Sequence, residues 1–259
     1  MNRMLLNASV CGLVLIFAGC GAAGGEEAAS FVKAGQALEA KVGAPGAKSD
    51  MPAADDPDVR AFNAAAEKAL IDLGTPAMRV DGLGSYDRLC GSVAKITAAY
   101  LSAGVGPVGD GGLPMNDQAK VAKMTENANR YMEQLFVPLL YSAHCTAVHL
   151  PAIEKDITDR DVHEKADAMA KIRNGAYGQA AGLLQMAGSG DIPADKRKRI
   201  LDLLARDGAN FGIAFGPDQK QALVQGAQQI GAALPDAKAQ TDRFATDLRK
   251  TPCGKLCAI

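Results

Sequence analysis

The chain has 259 residues, 48% of them hydrophobic, enough apolar material to bury a sizeable core and to exclude a disordered polymer. Its 28 basic and 29 acidic side chains nearly cancel, so no field gathers nucleic acid and none repels an anionic membrane surface. Tryptophan is absent and aromatic residues make up only 5%, which disfavours a stacking platform for sugars or single-stranded nucleic acid.

Residues 1–20 carry one charge, Arg3, followed by an almost unbroken apolar stretch from Leu5 to Phe17 in which Asn7 and Ser9 are the polar exceptions. The stretch is shorter than the ~20 residues a spanning helix needs and lacks a basic stop-transfer flank, so it reads as an export signal. It ends in Phe17-Ala18-Gly19-Cys20. Small residues before the cysteine let a peptidase approach the backbone, and the thiol supplies a sulfur for a diacylglycerol. This segment resembles the signal and lipobox of bacterial lipoproteins, departing from them at Phe17, where leucine is usual. The resemblance covers these residues alone. It implies a signal peptide over 1–19, lipid attachment at Cys20 and a bilayer as partner, since two or three acyl chains hold durably where one does not. The implied location is the bacterial cell envelope, facing the periplasm, and Gly21 rather than aspartate after the anchor favours the outer membrane. An ordinary cleaved signal is the alternative.

Residues 20–57 are expected to form a flexible tether. Gly21 to Gly25 is small and featureless, and Gly43 to Asp50 with Pro52 and Pro57 is loop chemistry. Between them Glu26 to Val42 can form a short helix whose apolar face is thin: Phe31, Leu38 and Val42. Over 58–259 the apolar period is helical almost throughout. Val59, Phe62, Ala66, Leu70 and Leu73 make a first stripe behind Asp55, Asp56 and Asp58, acids that favour a helix start. Leu89, Val93, Ile96 and Tyr100 make a second. Asn116 or Asp117 is expected to cap the longest helix, with the stripe Val121, Met124, Ala128, Tyr131 and Leu135, before Pro138 kinks or interrupts it and the stripe resumes to Leu150. Thr158 or Asp159 opens the next helix, which closes at Gly188-Ser189-Gly190. Pro193 starts another, Gly208 to Phe215 is expected to be an apolar loop, Pro217 opens a further helix, and Pro235 separates it from the last. No sustained two-residue alternation supports strands, and no fixed-period repeat supports a solenoid. The expectation is an all-α helical bundle of about six to seven amphipathic helices, with no further stretch apolar enough to span a bilayer.

Cys11 leaves with the signal and Cys20 takes the lipid, so Cys90, Cys145, Cys253 and Cys257 remain, an even number for an oxidising compartment. Two disulfides are expected. Cys90–Cys145 with Cys253–Cys257 would pin two central helices and close the short CGKLC loop, which Gly254 makes pliant. The crossed arrangements, tying the tail to both helices, are open alternatives. A zinc site from Cys145, His149, His144 and the CGKLC thiols competes, but its spacing is no strong signature and exported thiols are usually oxidised. No metal and no cofactor is expected.

Other motifs weaken in context. Gly104 to Gly109 matches GxGxxG, yet it follows a helix rather than a strand and contains Pro107, which donates no amide hydrogen. Asp156, Asp159 and Asp161 lack the spacing of a calcium loop and read as helix-start acids. Lys196 to Arg199 is a short basic run flanked by aspartates and reads as a solvated face. No GxSxG or HExxH occurs, and His144, His149 and His163 sit in no recognised motif, so no catalytic residues are assigned. The functional expectation is an envelope lipoprotein whose helical domain acts by contact with a protein partner. The first alternative is a ligand-binding bundle with a pocket near Pro138 lined by Tyr131, Leu135, Phe136 and Tyr141. An unrecognised enzyme is the second.

Overall fold

The structure, a computed structural model, describes residues 22–72, 87–106 and 117–258. Among them are ten α-helices and no strand. In chain order these are α1 (Ala22–Val42), α2 (Pro57–Asp72), α3 (Ser92–Leu101, entered through a π-helical turn at Asp87–Gly91), α4 (Gln118–Arg130) and α5 (Met132–Asp156). Then come α6 (Asp159–Glu164), α7 (Ala166–Gly188), α8 (Ala194–Ala214), α9 (Pro217–Ala233) and α10 (Lys238–Lys250). The all-α class is as expected; the higher count comes from helices that break where the periodicity does not.

Local chemistry sets many helix starts. The Asp117 carboxylate accepts from the amides of Ala119 and Lys120 at 3.1 and 3.2 Å, satisfying donors that the first turn of α4 leaves open. Thr158 and Asp161 form a reciprocal capping box at α6. Pro217 occupies the first turn of α9, where its missing N–H is no loss. Pro235 opens a 3-10 turn before α10.

Two apolar clusters share one helix. The first gathers α1, α2 and α3 around Phe31, Leu38, Phe62, Ile96 and Tyr100, and takes Leu135, Tyr141 and Cys145 from α5. The second packs α7, α8, α9 and α10 around Ile200, Leu204, Phe211, Phe215 and Phe244, and takes Phe136, Leu140, Ala143, Ala147 and Leu150 from the same α5. Helix α5 is therefore the common wall.

Three sequence expectations need correction. Much of 20–57 is not a tether: Phe31, Leu38 and Val42 are buried, and Phe31 packs on Phe62 and Tyr141 at ring-centroid distances of 5.8 and 4.5 Å. The loop after α1 is held as well, since the Tyr100 hydroxyl donates to the Pro52 carbonyl at 2.9 Å and the Gly104 amide to the Lys48 carbonyl at 3.1 Å. A thin apolar face suffices when each of its residues is fully inserted. The second correction concerns the interruption expected at Pro138 as the alternative to a kink. Helix α5 runs through both Pro138 and Pro151, and the chain turns instead at Tyr131, with φ −105° and ψ 25°. Losing one hydrogen bond at a proline is tolerated where packing on both sides holds the helix. Third, Gly208 to Phe215 is not a loop but, as far as Ala214, the last turns of α8. Its glycines allow α8 to approach α10: a Cβ on Gly208 would lie 3.0 Å from Phe244 Cδ2, and one on Gly212 would lie 2.8 Å from Thr251 Cβ.

This contact predicts opposite signs for two chemically identical substitutions. Gly178→Ala on α7 places its methyl where nothing lies within 4 Å, and should stabilise by about 0.5–1 kcal/mol through helix propensity. Gly212→Ala should destabilise by about 1–3 kcal/mol, because the methyl overlaps Thr251. Urea denaturation of both variants checks this; a gain at both positions would show that α8 and α10 are not in close contact.

Candidate functional site

From Leu140 to Ala147 every residue of α5 is buried, which over two turns encloses the helix on all sides. Polar side chains inside that stretch must find partners in the protein. The Ser142 hydroxyl accepts from Gln179 Nε2 of α7 at 3.0 Å. His144 Nδ1 lies 2.7 Å from Asp207 Oδ2 of α8, with both side chains buried, and the other carboxylate oxygen of Asp207 receives Arg206 Nε at 3.2 Å. His149 Nδ1 lies 2.5 Å from the Cys145 carbonyl and 3.9 Å from Cys90 Sγ. Burial pushes the His149 imidazole down to about 4; the charge of nearby His144 adds to this, and the Cys145 carbonyl opposes it. At neutral pH His149 is uncharged, and its Nδ1–H donates to the carbonyl.

Cys90, on the π-helical turn before α3, and Cys145 of α5 stand at disulfide distance with Cα atoms 5.9 Å apart; Cys253 and Cys257 pair likewise at 5.6 Å. This is the uncrossed connectivity. The ligand atoms of Cys90, Cys145 and His149 lie within 4.8 Å of one another, but with the sulfurs joined neither offers the thiolate a metal requires.

The second pair closes a loop that clasps the domain. The Gly254 amide donates to the Ile213 carbonyl at 2.9 Å, the Leu256 amide to Glu154 Oε2 at 3.0 Å and the Lys255 amide to Glu154 Oε1. Lys255 Nζ reaches the Ile157 carbonyl at 2.6 Å, and the Leu256 side chain is buried. A side chain at Gly254 would strike Glu154, with a Cβ 2.5 Å from its Cδ. The clasp therefore joins the end of α5 to the end of α8.

The residues expected around a pocket near Pro138 divide between the two clusters. Tyr131, Leu135 and Tyr141 are buried in the first cluster. Phe136 is buried in the second, under Lys196 Nζ and the Arg199 guanidinium at 5.3 and 5.2 Å from its ring centroid. Cys20 and Gly109 lie outside the described residues, while Gly104 and Gly106, at φ +70° and +90°, turn the chain after α3. In the basic run Lys198 pairs with Asp202 at 2.6 Å and Arg199 with Glu67 of α2 at 2.8 Å. Asp161 caps a helix, and Asp159 lies 3.4 Å from Lys255 Nζ.

Sequence reasoning passed over Asp207, Gln179 and Glu154, whose partners lie 63, 37 and 101 residues away. It also took no Ser-x-x-Lys spacing to occur, whereas two do, Ser30 to Lys33 and Ser92 to Lys95. Ser92 packs at Gly35 where α1 and α3 meet, whereas Lys95 reaches Glu39 at 2.9 Å on the surface. A histidine held by a carboxylate is the arrangement of a general base and its orienting group. Here His144 and Asp207 are sealed between α5 and α8, where they crosslink two helices. Among the described helices of at least 18 residues, α5 is long and apolar enough to cross a membrane, contrary to the sequence expectation, but 72% of its apolar window is buried inside the protein. No family model, curated protein or solved structure matches the chain.

The displaced His149 titration sets a pH dependence. In the unfolded chain this imidazole takes up a proton near pH 6.5, and in the folded protein only near 4, so the unfolded state binds more protons across that window. Stability should therefore fall as pH drops from about 6.5 to about 4, by roughly 2–3 kcal/mol attributable to this group. Urea unfolding across the window should show a steeper loss in the native protein than in His149→Leu; parallel profiles would mean that His149 is not buried and neutral.

Proposed function

We propose that this chain is a lipid-anchored protein of the bacterial cell envelope whose helical domain acts by contact with a protein partner rather than by chemistry. The observation that carries the reading is the fate of the cysteines. Cys90, Cys145, Cys253 and Cys257 pair among themselves, which leaves Cys20, behind its small-small-cysteine approach, as the one thiol after the signal is removed. Internal pairing also suits an oxidising compartment.

The disposition of charge supports a role by contact. The His144–Asp207 pair and Ser142 are spent on joining helices, and three of the four cations in the basic run are engaged within the protein. The two cores and the clasp make a stiff body. Held at a membrane by its first mature residue, such a body presents its helix faces to partners near the bilayer.

Cys20→Ser tests the anchor, because a hydroxyl cannot take the thioether. Cells fed an alkyne-tagged fatty acid should label the native protein and leave the variant unlabelled and absent from the membrane fraction. Label on the Cys20→Ser protein would overturn the anchor. In the same cells, amine-reactive crosslinking of intact envelopes should give an adduct of one defined mass; a monomer band alone would contradict the contact role.

A further inference from the structure

The basic run at the start of α8 divides its charge between two faces. Lys196 and Arg199 lie over Phe136, and Lys198 and Arg199 take carboxylates. Arg197 differs from all three. The residue is half-buried, its guanidinium meets no carboxylate or hydrogen-bond acceptor among the described residues, and it lines an open groove between α7 and α9.

That groove has a volume of about 580 Å³, within the range of about 300–1,000 Å³ usual for small-molecule sites. Its walls are apolar: Tyr177, Ala181 and Leu184 from α7, and Leu223, Ile230 and Ala233 from α9. Gly226 keeps the floor low, since a Cβ there would lie 3.0 Å from Leu184 Cδ2. No aspartate or glutamate lines the groove, and Gln185 and Gln229 supply its only side-chain amides. The lining on α9 runs from Ala222 to Ala233, which at 1.5 Å per residue is about 16 Å of helix. The shape is an open, mainly apolar groove with one cation among its lining residues.

We propose that this groove binds a single-chain anionic amphiphile of the fatty-acid class, with the alkyl chain between α7 and α9 and the carboxylate on Arg197. One guanidinium fork matches one carboxylate bidentately. A neutral apolar ligand would leave that cation unanswered beside hydrocarbon, and a cationic one would be repelled. The site is distinct from the residues around Pro138. It goes beyond the contact role and stands whether or not Cys20 is acylated.

The test uses the chain from residue 20 onward with Cys20→Ser, so that every described element is present and no attached acyl group competes. The probe is a fluorescent polyene fatty acid, titrated into the protein below its micellar concentration. Saturable binding at one site per chain is expected. Arg197→Gln should weaken it by about tenfold or more, and the corresponding fatty alcohol should bind the native protein about as weakly as the acid binds this variant. Ala222→Trp, at an exposed position on the groove wall, should abolish binding while leaving the circular dichroism and thermal midpoint unchanged. Absence of saturable binding would overturn the proposal, as would acid and alcohol binding equally well or affinity unmoved by both substitutions. Sedimentation as a dimer that Ala222→Trp dissociates, with no probe bound, would assign the groove to a second copy of the chain and overturn it equally.

Discussion

The central two turns of α5 have no side that can face water. An amphipathic helix needs cover on one stripe only, but Leu140 to Ala147 is buried without interruption, so protein must stand on every side of it. That requirement explains the two-cluster plan. The helices α1 to α3 close one flank, α7 to α10 close the other, and neither group alone would sequester the helix. Apolar burial at about 25 cal/mol per Å² makes this enclosure the main driving force, and cooperative folding of both flanks follows from it.

Polar groups on so enclosed a helix do not stabilise it cheaply. A buried hydrogen-bonded pair such as His144–Asp207 gives up hydration on both sides in exchange for the bond it makes, so its main effect is on register. With Ser142 fixed to Gln179 on α7 and Cys145 fixed to Cys90 before α3, α5 meets its neighbours through three specific links pointing to three different elements. The CGKLC clasp on Glu154 adds a fourth at its carboxyl end. Residue types that elsewhere signal catalysis or metal binding serve here to set how helices align.

What could be read from the chain follows this division. Single-sided helices announced themselves: Leu89, Val93, Ile96 and Tyr100 predicted the buried face of α3 and of the turn that enters it, and Asp117, Thr158 and Pro217 marked helix starts. Enclosed or sparsely contacting helices did not. Leu135 and Phe136 are adjacent, so about 100° of helical rotation sends them into different clusters, which their proximity in sequence does not reveal. Gly208 and Gly212 looked like loop residues because their role, admitting α10, depends on side chains far along the chain. Asp207 and Glu154 carry no local mark of burial or docking, and the vacant Arg197 was indistinguishable from its paired neighbours until the helices were in place.

If both flanks depend on α5, the molecule should open as one unit. Native-state hydrogen exchange in rising sub-denaturing urea measures this directly. Amides of α2 around Phe62, of α5 between Leu140 and Ala147 and of α8 around Leu204 should converge on a single opening free energy with a common urea dependence. Exchange of α1 to α3 at a clearly lower free energy, with α5 still fully protected, would show that the second cluster encloses the helix alone and would contradict the account.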